Sequence, residues 1–265
     1  MKYPRRHGGV RDVLNPYRIG AGYFLKRFFW DSRPLSWSNK RKIRSLRDTY
    51  KDKSCVILGN GKSLKDVDLP KLEKTFVFGL NKINFIFKDS EFRPSAIVAM
   101  NELVIDQNKT FYSQTNIPLF INRVALNYGV KPRSNVFFMD SLDHPYFARD
   151  PSISVFPGYT VTYVALQIAF YMGFGRVAVV GMDHEYGLGD PNQIVKQEGD
   201  GDTHFARDYF SHQQEWEFPD LQASEYYLSV ARRCFELEGK TLVNASTYTK
   251  LRALPCVTLD SFVED

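Results

Sequence analysis

From residue 54 onward, short apolar runs that close on small or polar residues recur along the chain. SCVILGNG is such a run, ending on Gly59-Asn60-Gly61 as a buried parallel strand does when it enters a tight turn. TFVFGLN, PSAIVAMN and IPLFIN repeat the form and end on Asn81, Asn101 and Asn122. VTYVALQIAFYMGF has the spacing and length of a helix, with Gly173 or Gly175 to stop it. RVAVVGMD predicts a further buried strand ending at Asp183. Residues 187–220, rich in Gly, Asp, Gln and His, predict a long polar loop or lid. LQASEYYLSVARRCFELEGK predicts an amphipathic helix closed by Gly239, and TLVNAS a last strand. This alternation predicts an α/β fold, a Rossmann-like and mostly parallel sheet flanked by helices, with ligands at the carboxyl ends of the strands. No internal repeat is visible.

Composition fits that picture. The chain has 265 residues, 43% apolar and 25% charged, which excludes disordered and fibrous classes. Aromatic residues make up 15%, a share suited to stacking on flat ligands or to interfaces. Mean hydropathy is −0.33, and no window holds the roughly 18 consecutive apolar residues of a membrane span. The first residues are basic but lead into no apolar core, so no signal peptide is expected. Cys55, Cys234 and Cys256 are odd in number and widely spaced, as in a reducing compartment, and the expected location is cytoplasmic.

Charge divides the chain. Residues 1–53 hold 15 Lys or Arg against four Asp, a net of +11; the remainder holds 20 basic against 26 acidic residues, a net of −6. The expected organisation is a basic, aromatic extension (1–53) joined to an α/β domain (54–265) whose lid spans about 187–220. Within the extension, Tyr23, Phe24, Leu25, Phe28, Phe29, Trp30, Leu35 and Trp37 are interleaved with Lys and Arg. Such a segment packs its rings on the domain or on a second subunit, or lies on an anionic membrane surface at its inner face. Nucleic acid is not expected as a partner, because the rest of the chain is acidic and carries no recognised binding module.

The unusual residues sit at the predicted strand ends. In Gly59-Asn60-Gly61-Lys62-Ser63-Leu64, glycines allow backbone N–H groups to approach a phosphate, and a plain tight turn reads the same way. It is not a Walker A loop, and Leu64 stands where a dinucleotide fingerprint has its third glycine. The second strand ends in Asn81 rather than an acidic ribose-binding residue, which argues against NAD. An Asn after a strand is a turn residue or helix cap; three at successive strand ends, with Asn60, are also placed to bind sugar hydroxyls, a base edge or phosphate.

The order of these features resembles two groups. GNGKSL, strands ending in Asn81 and Asn101, Pro157-Gly158-Tyr159-Thr160 opening a helix, and then VVGMD are similar to the bacterial sialyltransferases that decorate lipo-oligosaccharide and capsule. They are also similar to the MptE-like family, which includes archaeal 6-hydroxymethylpterin pyrophosphokinases. The resemblance covers about residues 54–255. It implies transfer of an acidic sugar from a CMP-activated donor to a cell-surface or lipid-linked glycan, without a metal cofactor. Carried onto this sequence, it implies that Gly59, Asn60, Gly61 and Ser63 approach the donor phosphate and ribose, and that Asn81, Asn101 and Asp183 bind the nucleotide-sugar donor. Gly158, Tyr159 and Thr160 occupy a donor-contacting turn, although Pro157 stands where a small hydroxyl residue is common. Tyr186 or Tyr209 supplies a phenol to phosphate, and His204, or else His212, acts as base. The alternative is a Mg²⁺-dependent pyrophosphokinase, for which Asp183 and Glu185, on either side of His184, and the Asp200-Gly201-Asp202 pair offer carboxylate oxygens. A non-catalytic scaffold of glycan assembly is a further alternative. The rings of Tyr226, Tyr227 and Phe235 are expected in the core, and a homo-oligomer is compatible with the sequence.

Overall fold

The computed structural model of the chain describes residues 15–185, 193–196 and 215–264. Seven strands form one all-parallel sheet: β1 (Ser54–Leu58), β2 (Phe76–Leu80), β3 (Ala96–Ala99), β4 (Leu119–Asn122), β5 (Val136–Met139), β6 (Arg176–Val180) and β9 (Thr241–Asn244), in the spatial order β5-β4-β3-β2-β1-β6-β9. The chain builds outward from β1 to β5 and then returns to lay β6 against the other side of β1. The β1/β6 boundary is therefore the topological switch point, the place where open α/β sheets bind their ligands.

Each strand is buried on both faces, which explains its continuous apolar run. Cys55 and Ile57 of β1 join one core with Phe78, Phe120 and Val179, while Val56 and Leu58 join the other with Val77, Ile97 and Val180. The first core is covered by α5 (Val161–Tyr171) and α6 (Leu221–Leu237). Nine of the eleven α5 residues are buried, so that helix is apolar almost all round. The second core is covered by 3₁₀ turns over Lys62–Asp66, Leu69–Leu72 and Ile83–Lys88, by the short α3 (Glu102–Gln107) and α4 (Lys109–Gln114), and by α7 (Leu259–Glu264). Gly173 (φ 92) and Gly239 (φ 69) end α5 and α6 as expected. All three cysteines are free thiols.

Two elements differ from the sequence reading. NVFFMD supplies the edge strand β5, which the reading passed over. The polar stretch 187–220 contains a short antiparallel pair, β7 (Ile194–Lys196) with β8 (Glu215–Glu217), rather than loop alone.

The basic extension contributes α1 (Pro16–Asp31) and α2 (Pro34–Arg44). α2 covers the open edge of β5. The Asn39 carboxamide accepts the N–H of Phe138 at 2.9 Å and donates to its carbonyl at 2.7 Å, and Ile43 enters the core. Pairing of a buried side chain with the strand's own backbone closes an edge that would otherwise invite another strand. α1 touches the sheet through a narrower stripe. Trp30 is buried, and Arg27 and Arg123 both pair with the buried Asp140 just past β5, at 3.3 and 2.6 Å.

Candidate functional site

The loops after β1 and β6 are stitched together across the switch point. Gly59 N–H donates to Val180 O at 2.7 Å, and Gly61 N–H to Gly181 O at 2.9 Å. A Cβ at Gly59 would meet the Gly181 carbonyl, and one at Gly61 would fall 2.5 Å from the Asp183 carboxyl carbon. The glycines are thus required by close approach of two protein loops. Asp183, buried at the end of the β6 loop, accepts the Ser63 N–H at 3.0 Å and the Ser63 hydroxyl. Ser63, expected beside the donor phosphate and ribose, thus has its N–H engaged by a carboxylate of the protein.

Beside this stitch lie two unanswered groups. Asn60 donates from Nδ2 to Leu80 O at 2.9 Å, yet its Oδ1 is buried without a partner among the described residues. Asn81 sits in left-handed backbone (φ 49), its N–H held by Val98 O, and its Oδ1 is likewise buried and unpartnered. The other strand-end asparagines are helix caps. Asn101 Oδ1 accepts from Leu103 N–H at 2.8 Å at the start of α3, and Asn122 Oδ1 accepts from Val124 N–H at 3.0 Å. Lys82, next after Asn81, is only 1% exposed, and burial lowers its ammonium to a pKa of about 8. The sequence reading missed this residue; a lysine between the apolar runs FVFGL and INFIF was the available signal.

A third group comes from the turn before α5. Gly158 and Tyr159 both take left-handed backbone (φ 59 and 61), and Thr160 caps the helix by accepting from Thr162 N–H at 3.3 Å. The segment leading to the turn is pinned by the buried Gln167, which accepts from Ala148 and Phe156 N–H and donates to Phe156 and Tyr163 O. A non-glycine residue in left-handed backbone is a strained position, which points to function. The exposed Tyr159 ring stacks on Tyr227 of α6 at 5.8 Å and 12°, and Tyr159 O accepts the Ser224 hydroxyl. Phe235 is in the core as expected, whereas Tyr226 is exposed, edge-on to Tyr227; the helix periodicity puts 226 on the opposite side from Phe235.

His184 is also left-handed (φ 54); its Nε2 lies 3.2 Å from both Leu221 O and a Glu225 carboxylate oxygen. Burial lowers its pKa, with Glu225 opposing. Glu185 turns the other way, to Lys250 at 2.5 Å and the Tyr248 hydroxyl at 3.0 Å. Asp183, His184 and Glu185 therefore engage three separate partners and do not converge as a magnesium set. Among the described residues no group of three or more His, Cys, Asp or Glu is gathered. The proposed bases His204 and His212, the phenols Tyr186 and Tyr209, and the Asp200–Asp202 pair lie outside the described residues.

An all-parallel sheet with polar side chains gathered at the carboxyl ends of its central strands defines a Rossmann-like α/β protein. The model of the 6-hydroxymethylpterin diphosphokinase MptE-like family matches residues 35–188, more than half of the chain, and the chain belongs to that family. Among solved structures, that of the MAf glycosyltransferase from Magnetospirillum magneticum AMB-1 is similar at a TM-score of 0.48 and 14% identity, covering 86% of this chain and 39% of that one. This chain thus spans less than half of that protein's length. No curated protein matches the sequence.

Proposed function

We propose that this chain is a transferase that binds a nucleotide at the carboxyl ends of β1 and β2, beside the β1/β6 switch point, and moves a group from it to a hydroxyl acceptor. The observation that carries the reading is the pair of buried, unpartnered oxygens, Asn60 Oδ1 and Asn81 Oδ1, on neighbouring strand ends. An unmet buried acceptor costs about 1–3 kcal/mol, so two together argue for a ligand that donates hydrogen bonds, as ribose hydroxyls or a base amino group do. Lys82 adds a buried cation suited to phosphate, and the Tyr159–Tyr227 stack adds a ring face for a flat group.

On this reading the donor is a CMP-activated acidic sugar and the acceptor a cell-surface or lipid-linked glycan. His204, with His212 second, takes the acceptor proton. Residues 54–265 form the catalytic unit, residues 187–220 its lid, and the protein works in the cytoplasm or at the inner membrane face. The family's description favours a second reading, diphosphate transfer from ATP to a pterin-type alcohol.

Calorimetric titration separates the two. CMP binding that does not depend on Mg²⁺ is expected, and binding of ATP alone, only with Mg²⁺, would put the diphosphate transfer first. Asn81→Gly keeps the left-handed backbone and removes the carboxamide. It should weaken nucleotide binding about tenfold, the worth of one good hydrogen bond, and an unchanged affinity would remove the strand-end asparagines from the reading.

A further inference from the structure

α1 presents most of its surface to no other part of the protein among the described residues. Its contact stripe is Tyr23, Arg27 and Trp30, spaced at i, i+4 and i+7. Opposite that stripe, Phe24 (68% exposed), Phe28 (57%) and Phe29 (61%) stand in solvent with Tyr17 and Leu25, and Trp37 at the start of α2 adds a further exposed ring. Phe24 stacks on Phe28, and Phe28 meets Phe29 edge-on, so the three rings form one continuous ridge. Exposed rings in such number on one helix mark an interaction surface.

Charge identifies the partner. Residues 16–44 contain eight Lys or Arg and a single acid, Asp31. Asp31 is already engaged by Arg27 and Lys40, both at 2.7 Å, and these partners hold its carboxyl below the usual range against the opposing effect of burial. Arg18, Lys26, Arg33 and Arg41 are exposed around the ridge. A second copy meeting this face across a two-fold axis would set these cations against themselves. An anionic lipid surface accepts both features at once, rings at the headgroup boundary and cations on the lipid phosphates and carboxylates. At 16 residues α1 is about 24 Å long, enough to lie along a bilayer surface, and no helix among the described residues is long and apolar enough to cross one.

We propose that α1 and the start of α2 form a docking surface for anionic membrane, with Phe24, Phe28, Phe29 and Trp37 entering the headgroup layer and Lys26, Arg33 and Arg41 pairing with its charge. α1 precedes residue 35, where the match to the family model begins, whereas Trp37 and Arg41 of α2 fall within it. Arg27 and Trp30 fasten it beside Asp140 and Arg123, which follow β5 and β4 at the carboxyl edge of the sheet. The docked membrane therefore lies at the carboxyl edge of the sheet, the edge that carries Asn60 and Asn81. The inference does not depend on which group is transferred there.

The test is co-sedimentation of the full chain with vesicles of phosphatidylcholine, with and without phosphatidylserine. Pelleting with the anionic vesicles, weakened by salt, is expected. Lys26→Glu with Arg33→Glu, and separately Phe24→Ser with Phe28→Ser and Phe29→Ser, should each reduce it about tenfold or more. All five side chains are exposed, so urea unfolding midpoints should match the parent and show that both variants are folded. Absence of pelleting, equal pelleting with neutral vesicles, or unchanged pelleting of the folded variants overturns the proposal. So does a dimer, seen by light scattering, that the phenylalanine variant dissolves while vesicle binding stays absent.

Discussion

The Asp183 carboxylate, leaving β6, holds the Ser63 N–H that follows β1 at 3.0 Å. Two parallel strands whose loops would otherwise part at the switch point are joined there by a side chain, and Gly61 is the residue whose missing Cβ makes room for it. A carboxylate in this position does for the loop what a bound anion does elsewhere. It meets backbone donors and fixes the turn before any ligand arrives.

Gly61→Ala should therefore act on the fold itself. The added carbon would push Asp183 aside, and overpacking of this kind costs about 1–3 kcal/mol. Urea unfolding of variant and parent measures it. A loss smaller than about 0.5 kcal/mol, the size expected of a neutral surface change, would show that Asp183 moves freely and that the stitch is not structural.

Lys82 predicts a conflict between stability and binding. Its ammonium is lowered by burial to about 8 from an ordinary value of 10.5, so at pH 7 the fold carries a buried charge that the unfolded chain solvates. Lys82→Met should raise stability at pH 7 by about 2 kcal/mol while abolishing nucleotide binding. The sign across pH follows from the lowered value. Between pH 8 and 10.5 the unfolded chain holds the proton more firmly, so the parent gains stability as pH rises and the variant's advantage shrinks. Unfolding curves at pH 7 and pH 10 check this, and a destabilised variant at pH 7 would contradict it.

Most of the sheet was legible because a strand buried on both faces needs an unbroken apolar run, and β1 to β4, β6 and β9 each have one. β5 has one too, in VFFM, but nothing in it shows that a basic segment would cover its edge. Asn39 and Ile43 lie among Lys40, Arg41, Lys42 and Arg44, so local composition reports solvent while the open strand decides burial. At the site, four asparagines share one sequence form and have two structural fates. Asn101 and Asn122 are followed at once by helical turns whose free N–H groups take their side-chain oxygens. Asn60 and Asn81 spend their carboxamide oxygens on no backbone group. That difference lies in the backbone of the following residue, which strand periodicity does not encode.

His184 predicts a measurable acid sensitivity. Burial holds its folded pKa below the ordinary 6.5, with Glu225 partly opposing. Just below pH 6.5 the unfolded chain takes up the proton first, so stability present above that value is lost as pH falls through the folded value. His184→Gln keeps a polar side chain without the titration. The difference between parent and variant unfolding free energies should be flat above pH 7 and fall below pH 6.5. A difference independent of pH from 5 to 8 would mean that the imidazole is solvated in the fold.

The last prediction concerns Gly20 and Gly22, which lie two positions apart inside α1. Neither has a positive φ, and a Cβ at either would meet nothing within 4 Å, so no turn or close approach calls for them. Glycine in a helix interior costs about 0.5–1 kcal/mol relative to alanine, through the backbone freedom lost on folding. α1 is held by a stripe of three side chains, so that cost falls on the helix rather than on the sheet. Gly20→Ala with Gly22→Ala should slow hydrogen exchange of the α1 amides about fivefold or more and leave the global unfolding midpoint unchanged. Unaltered exchange in α1 would mean that the helix is already held by contacts beyond Tyr23, Arg27 and Trp30.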